Sequence, residues 1–171
     1  MSLASKTIES PVGKLKLVAS DKGLAAVLWE DDRPHRVRLG EPIPESTSEH
    51  EFHPVLVQAE RQLNEYFAGK RKEFSVPLDI RGTPFQKYVW EALLAIPFGE
   101  TRSYGQLAKQ VGNPRATRAV GAANGRNPIS VIVPCHRVIG SSGRLTGFGG
   151  GLETKALLLR LEKKGDTLFR Q

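Results

Sequence analysis

The sequence predicts an α+β protein made of two unlike halves, and three observations predict it. Apolar residues alternate with polar ones between tight Gly turns in the first 30 residues, capped helical patterns dominate after residue 83, and the charge changes between the halves. Residues 1–81 carry 12 Lys+Arg against 13 Asp+Glu, while residues 82–171 carry 13 against 5, so the net charges of −1 and +8 add to the +7 of the chain. A chain of 171 residues suits one ordinary domain or two small ones. With 39 % hydrophobic and 25 % charged residues it has the composition of a soluble globular protein, which excludes fibres and disordered tails. No apolar stretch approaches the roughly 18 to 20 residues that span a bilayer, and residues 1–16 lack the apolar core of a signal peptide. We therefore expect a cytoplasmic protein with no membrane partner.

The first half reads as a β-meander followed by a helix. Strands are expected over Lys6 to Ser10, over Leu15, Leu17 and Ala19, and over Leu24 to Trp29, with turns at Pro11-Val12-Gly13 and Asp21-Lys22-Gly23. Val37 and Leu39 alternate briefly before Glu41 to Ser48, a polar, Pro-containing loop. Pro54 suits a first helical position, Leu56, Ala59, Leu63 and Phe67 share a face, and Gly69 stops the helix. Phe74, Val76, Leu78 and Ile80 then alternate, but Pro77 lacks an amide donor, so the segment is an edge strand or extended linker. The domain boundary falls near Arg81-Gly82, giving domains 1–81 and 82–171.

The second half is mostly helical. Thr83-Pro84-Phe85-Gln86 is a capping box, and Phe85, Val89, Leu93 and Ile96 form the expected buried stripe until Pro97. Ser103 can cap a short helix carrying Leu107, Ala108 and Val111, and after Gly112-Asn113-Pro114 a second helix runs from Arg115 to about Gly125. The pair makes a helix-turn-helix. Small residues keep one side of the second helix flat, while Arg115, Arg118 and Arg126 project from it. Ile129 to Val133 reads as a buried strand or extended segment, and a final helix runs from about Glu153 through Ala156, Leu157, Leu159 and Leu161 to a stop at Lys163-Lys164-Gly165.

Chemistry concentrates after residue 100. Between Glu100 and Glu153 there is no carboxylate, against seven Lys and Arg, which points to a polyanion or to a solvated basic face. Cys135 is the one cysteine, so neither an intrachain disulfide nor a multi-cysteine zinc site can form. A lone cysteine in an apolar run reads as a buried hydrophobe, but His136 and Arg137 follow directly and could favour its thiolate. On an extended chain neighbours point opposite ways, so His136 needs a turn or a bridging water to act on the thiol. Glu162 sits at the negative end of its helix, against local preference, either for a purpose of its own or neutralised by Lys163 and Lys164. The Gly147 to Gly151 run lacks the Lys-Ser/Thr pair of a phosphate loop and fits a pocket wall better.

The run Pro134-Cys135-His136-Arg137-Val138-Ile139-Gly140, with Arg118-Ala119-Val120-Gly121, Asn127-Pro128, the Gly147 to Gly151 loop and Leu161-Glu162 in register, closely resembles the O6-alkylguanine-DNA alkyltransferase family from about Thr83 to Gly165. The first half fits that family only in general pattern. The resemblance implies a ribonuclease-H-like α/β domain followed by a mostly helical, winged-helix-like domain with the helix-turn-helix. It further implies that Cys135 accepts the alkyl group once, without a cofactor or metal, that Glu162 orients His136, that His136 deprotonates Cys135 through a water, and that Asn127 holds the segment.

By the same resemblance, Tyr104 donates to the leaving guanine, and Val138, Phe148, Gly149 and Gly150 line the base pocket. Arg118 fills the gap left by the flipped nucleotide, while Ala119, Gly121, Ala122, Ala123, Asn124, Ser103 and Arg126 lie against the minor groove of double-stranded DNA containing O6-alkylguanine. A monomer without an obligate protein partner is implied, with cooperative binding along DNA open. Phe148 and Gly149 depart from the Tyr and Ser frequent in relatives, which puts the substrate range in doubt, and without further cysteines the zinc site of some relatives cannot form. A non-catalytic module that flags alkylated DNA stays as the alternative, although Cys135 argues against it. A cysteine hydrolase would not need so many cations, and a transcription factor would need side chains where Gly121 to Ala123 offer none.

Overall fold

The computed structural model describes residues 3–145 and 147–164, so the expected helix stop at Gly165 lies outside the described residues. β1 (Ala4–Ile8), β2 (Leu15–Ala19) and β3 (Leu24–Trp29) form an antiparallel sheet in that order, with β1 starting and ending two residues earlier than expected. α1 (Pro54–Phe67) starts with Pro54 at its first turn and with the His53 ring accepting from the Val55 amide, and it buries Leu56, Ala59, Leu63, Tyr66 and Phe67 in the core it shares with the sheet. Val37 and Leu39 form no strand. Leu39 is buried instead in a small second cluster with Leu3, Val18, Ala25 and Ala26.

The free edge of β3 receives both connections that matter for the site. The linker docks where the Leu24 amide donates to the Pro77 carbonyl and the Asp79 amide donates to the Leu24 carbonyl, each at 2.8 Å. Gly23 permits this approach, because a Cβ there would lie 2.6 Å from the Pro77 oxygen. Farther along, the Val27 amide donates to the Pro128 carbonyl at 2.9 Å. The segment leading to Cys135 is thus fastened to the N-terminal sheet.

In the second half α2 (Pro84–Leu94) has the predicted capping box, with the Thr83 side chain and Gln86 each bonded to the other's backbone. Its buried face differs from the expected stripe. Phe85 is exposed, and Trp90 takes the inward position, where its Nε1 donates to the Ala123 carbonyl at 2.8 Å and ties α2 to a later helix. β4 (Arg102–Ser103) leads into α3 (Tyr104–Gln110), capped by Ser103 as expected. α4 (Thr117–Gly125) begins two residues later than predicted, because the Ala116 amide closes a turn onto the Asn113 carbonyl first. β5 (Val138–Ile139) pairs parallel to β4, a two-residue ladder too short for any periodicity to betray.

α5 (Leu152–Lys164) starts one residue before the expected Glu153. It buries Lys155, Leu158, Leu161 and Glu162, two of them charged, while Ala156 is exposed. One apolar cluster runs from the sheet and α1 through to α5, so the halves share a core.

Candidate active site

Residues 129–133 are not a strand. After the contact with Val27 the backbone folds through tight turns, with the Val133 amide on the Ile129 carbonyl and the Cys135 amide on the Val133 carbonyl, and Val131 has φ of 73°. A β-branched residue at positive φ is strained, and the surrounding structure must hold it there. Asn127 does much of that holding. Fully buried, it accepts from the Ile129 amide at 3.0 Å and donates to the Val133 carbonyl at 2.8 Å. The prolines at 128 and 134 offer no amides that would favour a ladder instead.

A 3-10 turn over Cys135–Arg137 then separates neighbours that an extended chain would also set apart. His136 is fully buried, and its Nε2 lies 2.7 Å from Glu162 Oε2. Its other nitrogen, Nδ1, is buried without a protein partner. Arg137 Nε donates to Glu162 Oε1 at 2.8 Å, its Nη2 to Oε2 at 3.1 Å, and its Nη1 to the Ile96 carbonyl at 2.6 Å. The Tyr66 hydroxyl also donates to Glu162 Oε2, at 2.6 Å. Burial would raise the Glu162 carboxyl, but the hydrogen bonds and positive charge of His136 and Arg137 bring it down to about 2. Glu162 is thus ionised at neutral pH and bonded to Tyr66, His136 and Arg137.

The thiol is governed by other groups than its neighbours in sequence. Cys135 is 4 % exposed, and burial pushes its thiol up, against a hydrogen bond with Asn127 and the positive charges of Arg36 and Lys155. The expected support from Arg137 is absent because that guanidinium is committed to Glu162. Arg36 arrives from the first half: Asp32 holds its Nε and Nη2, and its Nη1 donates to the Gly125 and Asn127 carbonyls, both at 3.0 Å. It ties the end of α4 and the Asn127 segment to the N-terminal half.

Beside this arrangement lies a cleft of about 700 Å³ lined by Tyr104, Arg118, Gly121, Asn124, Phe148 and Gly149, among others. Asn124 connects it to Cys135, donating to the Cys135 carbonyl at 3.4 Å while its Oδ1 is buried without a partner. Phe148 closes one side, edge-on to Trp29 with centroids 5.4 Å apart.

Two family models match the chain in succession. The ribonuclease-like domain of 6-O-methylguanine DNA methyltransferase covers residues 3–80, and the DNA binding domain of the same enzyme covers residues 84–164. The chain belongs to the 6-O-methylguanine DNA methyltransferase family. The methylated-DNA–protein-cysteine methyltransferase of Mycobacterium tuberculosis is 52 % identical over 163 residues, covering 92 % of this chain and 91 % of the relative. That of Methanosarcina acetivorans is 50 % identical over 154 residues, covering 90 % and 94 %. Among solved structures, Mycobacterium tuberculosis OGT in complex with DNA superposes with a TM-score of 0.84 at 47 % identity, covering 98 % of this chain and 99 % of the other.

In this methyltransferase-family chain the positions expected to serve the site divide into those that meet and those that do not. His136 and Glu162 form one hydrogen-bonded pair and Cys135 and Asn127 another, the two joined through the Cys135–Arg137 turn, and Tyr104, Arg118, Gly121, Asn124, Phe148 and Gly149 share the cleft. Ala119, Ala122 and Arg126 are exposed on or just after α4, and Ser103 is partly exposed while capping α3. Ala123 departs from expectation: it is buried against the core beside Trp90, so it presents nothing to a groove. Val138 is fully buried, which leaves only its backbone for a ligand. Gly150 packs on Trp29, where a Cβ would come within 2.7 Å of the indole, so its smallness serves packing. Sequence reading missed Arg33, which lines the cleft from the first half, and also Arg36, Tyr66 and Lys155. The cluster Arg33, Arg36 and Arg38 was a visible signal, and the other two carried none.

Proposed function

We propose that the chain repairs double-stranded DNA by moving the alkyl group of O6-alkylguanine, and by extension of O4-alkylthymine, onto Cys135 in a single irreversible turnover. The observation that carries this reading is the buried Cys135-His136-Glu162 arrangement: the imidazole is held by Glu162 through Nε2, and its Nδ1 is buried without a protein partner. A water bridging to that nitrogen takes the thiol proton onto His136, and the thiolate sulfur attacks the alkyl carbon. The S–C bond forms as the C–O6 bond breaks, and the electron pair leaves with the guanine. Tyr104 donates to the departing base as that charge develops. A thioether has no easy route back to thiolate, so each molecule acts once and needs no cofactor or metal.

Reaching a buried thiol requires the nucleotide to leave the stack, at about a few kcal/mol. α4 lies against the minor groove, Arg118 fills the vacated space, and Gly121 keeps the approach open. Residues 1–81 form a supporting domain and residues 82–171 the binding and catalytic one, acting as a monomer without an obligate protein partner. Among the described residues no helix is long and apolar enough to cross a membrane.

Intact mass measured after incubation with duplex DNA carrying one O6-methylguanine tests the reading. Growth by one methyl in place of the thiol hydrogen, saturating at one equivalent and absent in Cys135→Ala, is the expected result. Tight lesion binding without a mass change would instead favour a module that flags the damage. Arg118→Ala is expected to slow repair in duplex DNA at least tenfold while leaving reaction with free O6-benzylguanine within twofold. Equal slowing of both in stopped-flow assays would exclude an extrusion role. Duplex affinity should fall with salt at a log-log slope of about −0.9 per phosphate neutralised.

A further inference from the structure

We propose that Tyr66, on α1 of the N-terminal half, is a positioning residue for alkyl transfer, its hydroxyl holding Glu162 and setting how strongly that carboxylate draws on the His136 ring. The inference rests on the reading of His136 as the base. Tyr66 lies 96 residues from Glu162 in the chain, yet its hydroxyl donates to Oε2 at 2.6 Å, the shortest of the four contacts that carboxylate receives. The same oxygen faces His136 Nε2 at 2.7 Å.

A carboxylate oxygen that accepts several charge-assisted hydrogen bonds divides its negative charge among them. The phenol therefore competes directly with the imidazole for Oε2. Arg137 already satisfies Oε1, and it reaches Oε2 at 3.1 Å, so the phenol is not needed to neutralise Glu162. Its effect falls on the oxygen that His136 uses.

The ring has little freedom to withdraw. Phe67 and Phe98 meet it edge-on at centroid distances of 5.4 and 6.3 Å, and Phe74 lies tilted at 5.4 Å. Burial first, and then the charge of Glu162, raise the Tyr66 ionisation well above its ordinary value, with Arg137 opposing. The hydroxyl is thus a donor throughout the working range of pH. The ionisable groups around the relay are Tyr66 from α1, His136 and Arg137 from the 3-10 turn and Glu162 from α5, with Cys135 beyond them facing Arg36 and Lys155.

The sign follows from the shared oxygen. Removing the phenol leaves more of the Oε2 charge to His136, which stabilises its protonated ring and moves the acid limb of transfer to higher pH. A more acidic phenol donates more strongly and does the opposite. Two variants separate these outcomes from a loss of packing: Tyr66→Phe, and the full chain carrying 3-fluorotyrosine at position 66 alone. Single-turnover transfer from free O6-benzylguanine is measured against pH, and the His136 ring is titrated by NMR in the same samples.

The expected result is a shift of both curves by about half a unit to one unit upward in Tyr66→Phe and a smaller shift downward with fluorotyrosine, roughly a three- to tenfold slowing for the first below the limb. Curves that coincide with the parent in both variants, even with a lowered Tm, would overturn the proposal and leave Tyr66 a packing residue. If Tyr66→Phe does not fold, the fluorotyrosine shift decides. A ring titration that moves while the transfer profile stays still would support the Tyr66 contact and overturn His136 as the base, so the two readings fail separately.

Discussion

Glu162→Gln is expected to lose both stability and transfer, and by large amounts. The neutral amide leaves the Arg137 guanidinium buried without its carboxylate, a change that costs about 3–5 kcal/mol when one partner of a buried pair is removed. It also takes away the charge facing His136, and we expect transfer from free O6-benzylguanine to fall by roughly a hundredfold or more in protein that is still folded. Chemical denaturation and single-turnover rates measure the two effects separately. Loss of stability with an unchanged rate would make Glu162 a structural hub alone.

The same residue shapes the acid limit of the fold. Its carboxyl is lowered from 4.5 to about 2 in the folded chain. A lowered folded value means the unfolded chain binds the proton more readily, so the stabilisation is complete above about pH 4.5 and is lost as pH falls toward 2. A difference of that size corresponds to about 3 kcal/mol. In Glu162→Gln this part of the acid transition should vanish, leaving a flatter dependence of unfolding free energy on pH between 5 and 2.

Asn127→Ala carries the second large effect. It strips partners from the Ile129 amide and the Val133 carbonyl in a buried segment, for a loss of roughly 2–5 kcal/mol. It also removes the hydrogen bond that offsets the burial of Cys135, so the thiol should rise further and alkylate more slowly. Asn127→Asp separates these contributions. An ionised aspartate keeps an acceptor for Ile129 but sets a buried carboxylate oxygen against the Val133 carbonyl and negative charge beside the thiol, so we expect it to fold no better than Asn127→Ala and, in protein that is still folded, to react more slowly. The reverse order of rates in a thiol-alkylation assay would show that Asn127 acts on the fold and not on the nucleophile.

Much of the architecture was legible because it is local. Alternation between Gly turns gives β1 to β3, and Pro54, Thr83 and Ser103 mark the starts of α1, α2 and α3, since capping depends on residues three or four apart. Phe85 falls outside the buried face for a related reason. Apolar counting cannot tell which way a helix turns when a tryptophan hydrogen bond defines the inward face. The stretch 129–133 misled in another way: its apolar content reports burial, while its turns come from Asn127 and the two prolines around it.

Fold class, the unlike halves, the order of the main elements and the nucleophile candidate follow from residue order, because a cysteine next to His136 and Arg137 in an acid-free stretch is a chemical fact of the chain. What those groups do to one another emerges on folding. Arg137 turns from the thiol to Glu162, Arg36 crosses from Asp32 to the Asn127 carbonyl, and Tyr66 reaches a carboxylate 96 positions away. Hydrogen bonds and charge act over a few ångströms of space in a buried site, and distance along the chain carries no record of which groups folding will bring within that range.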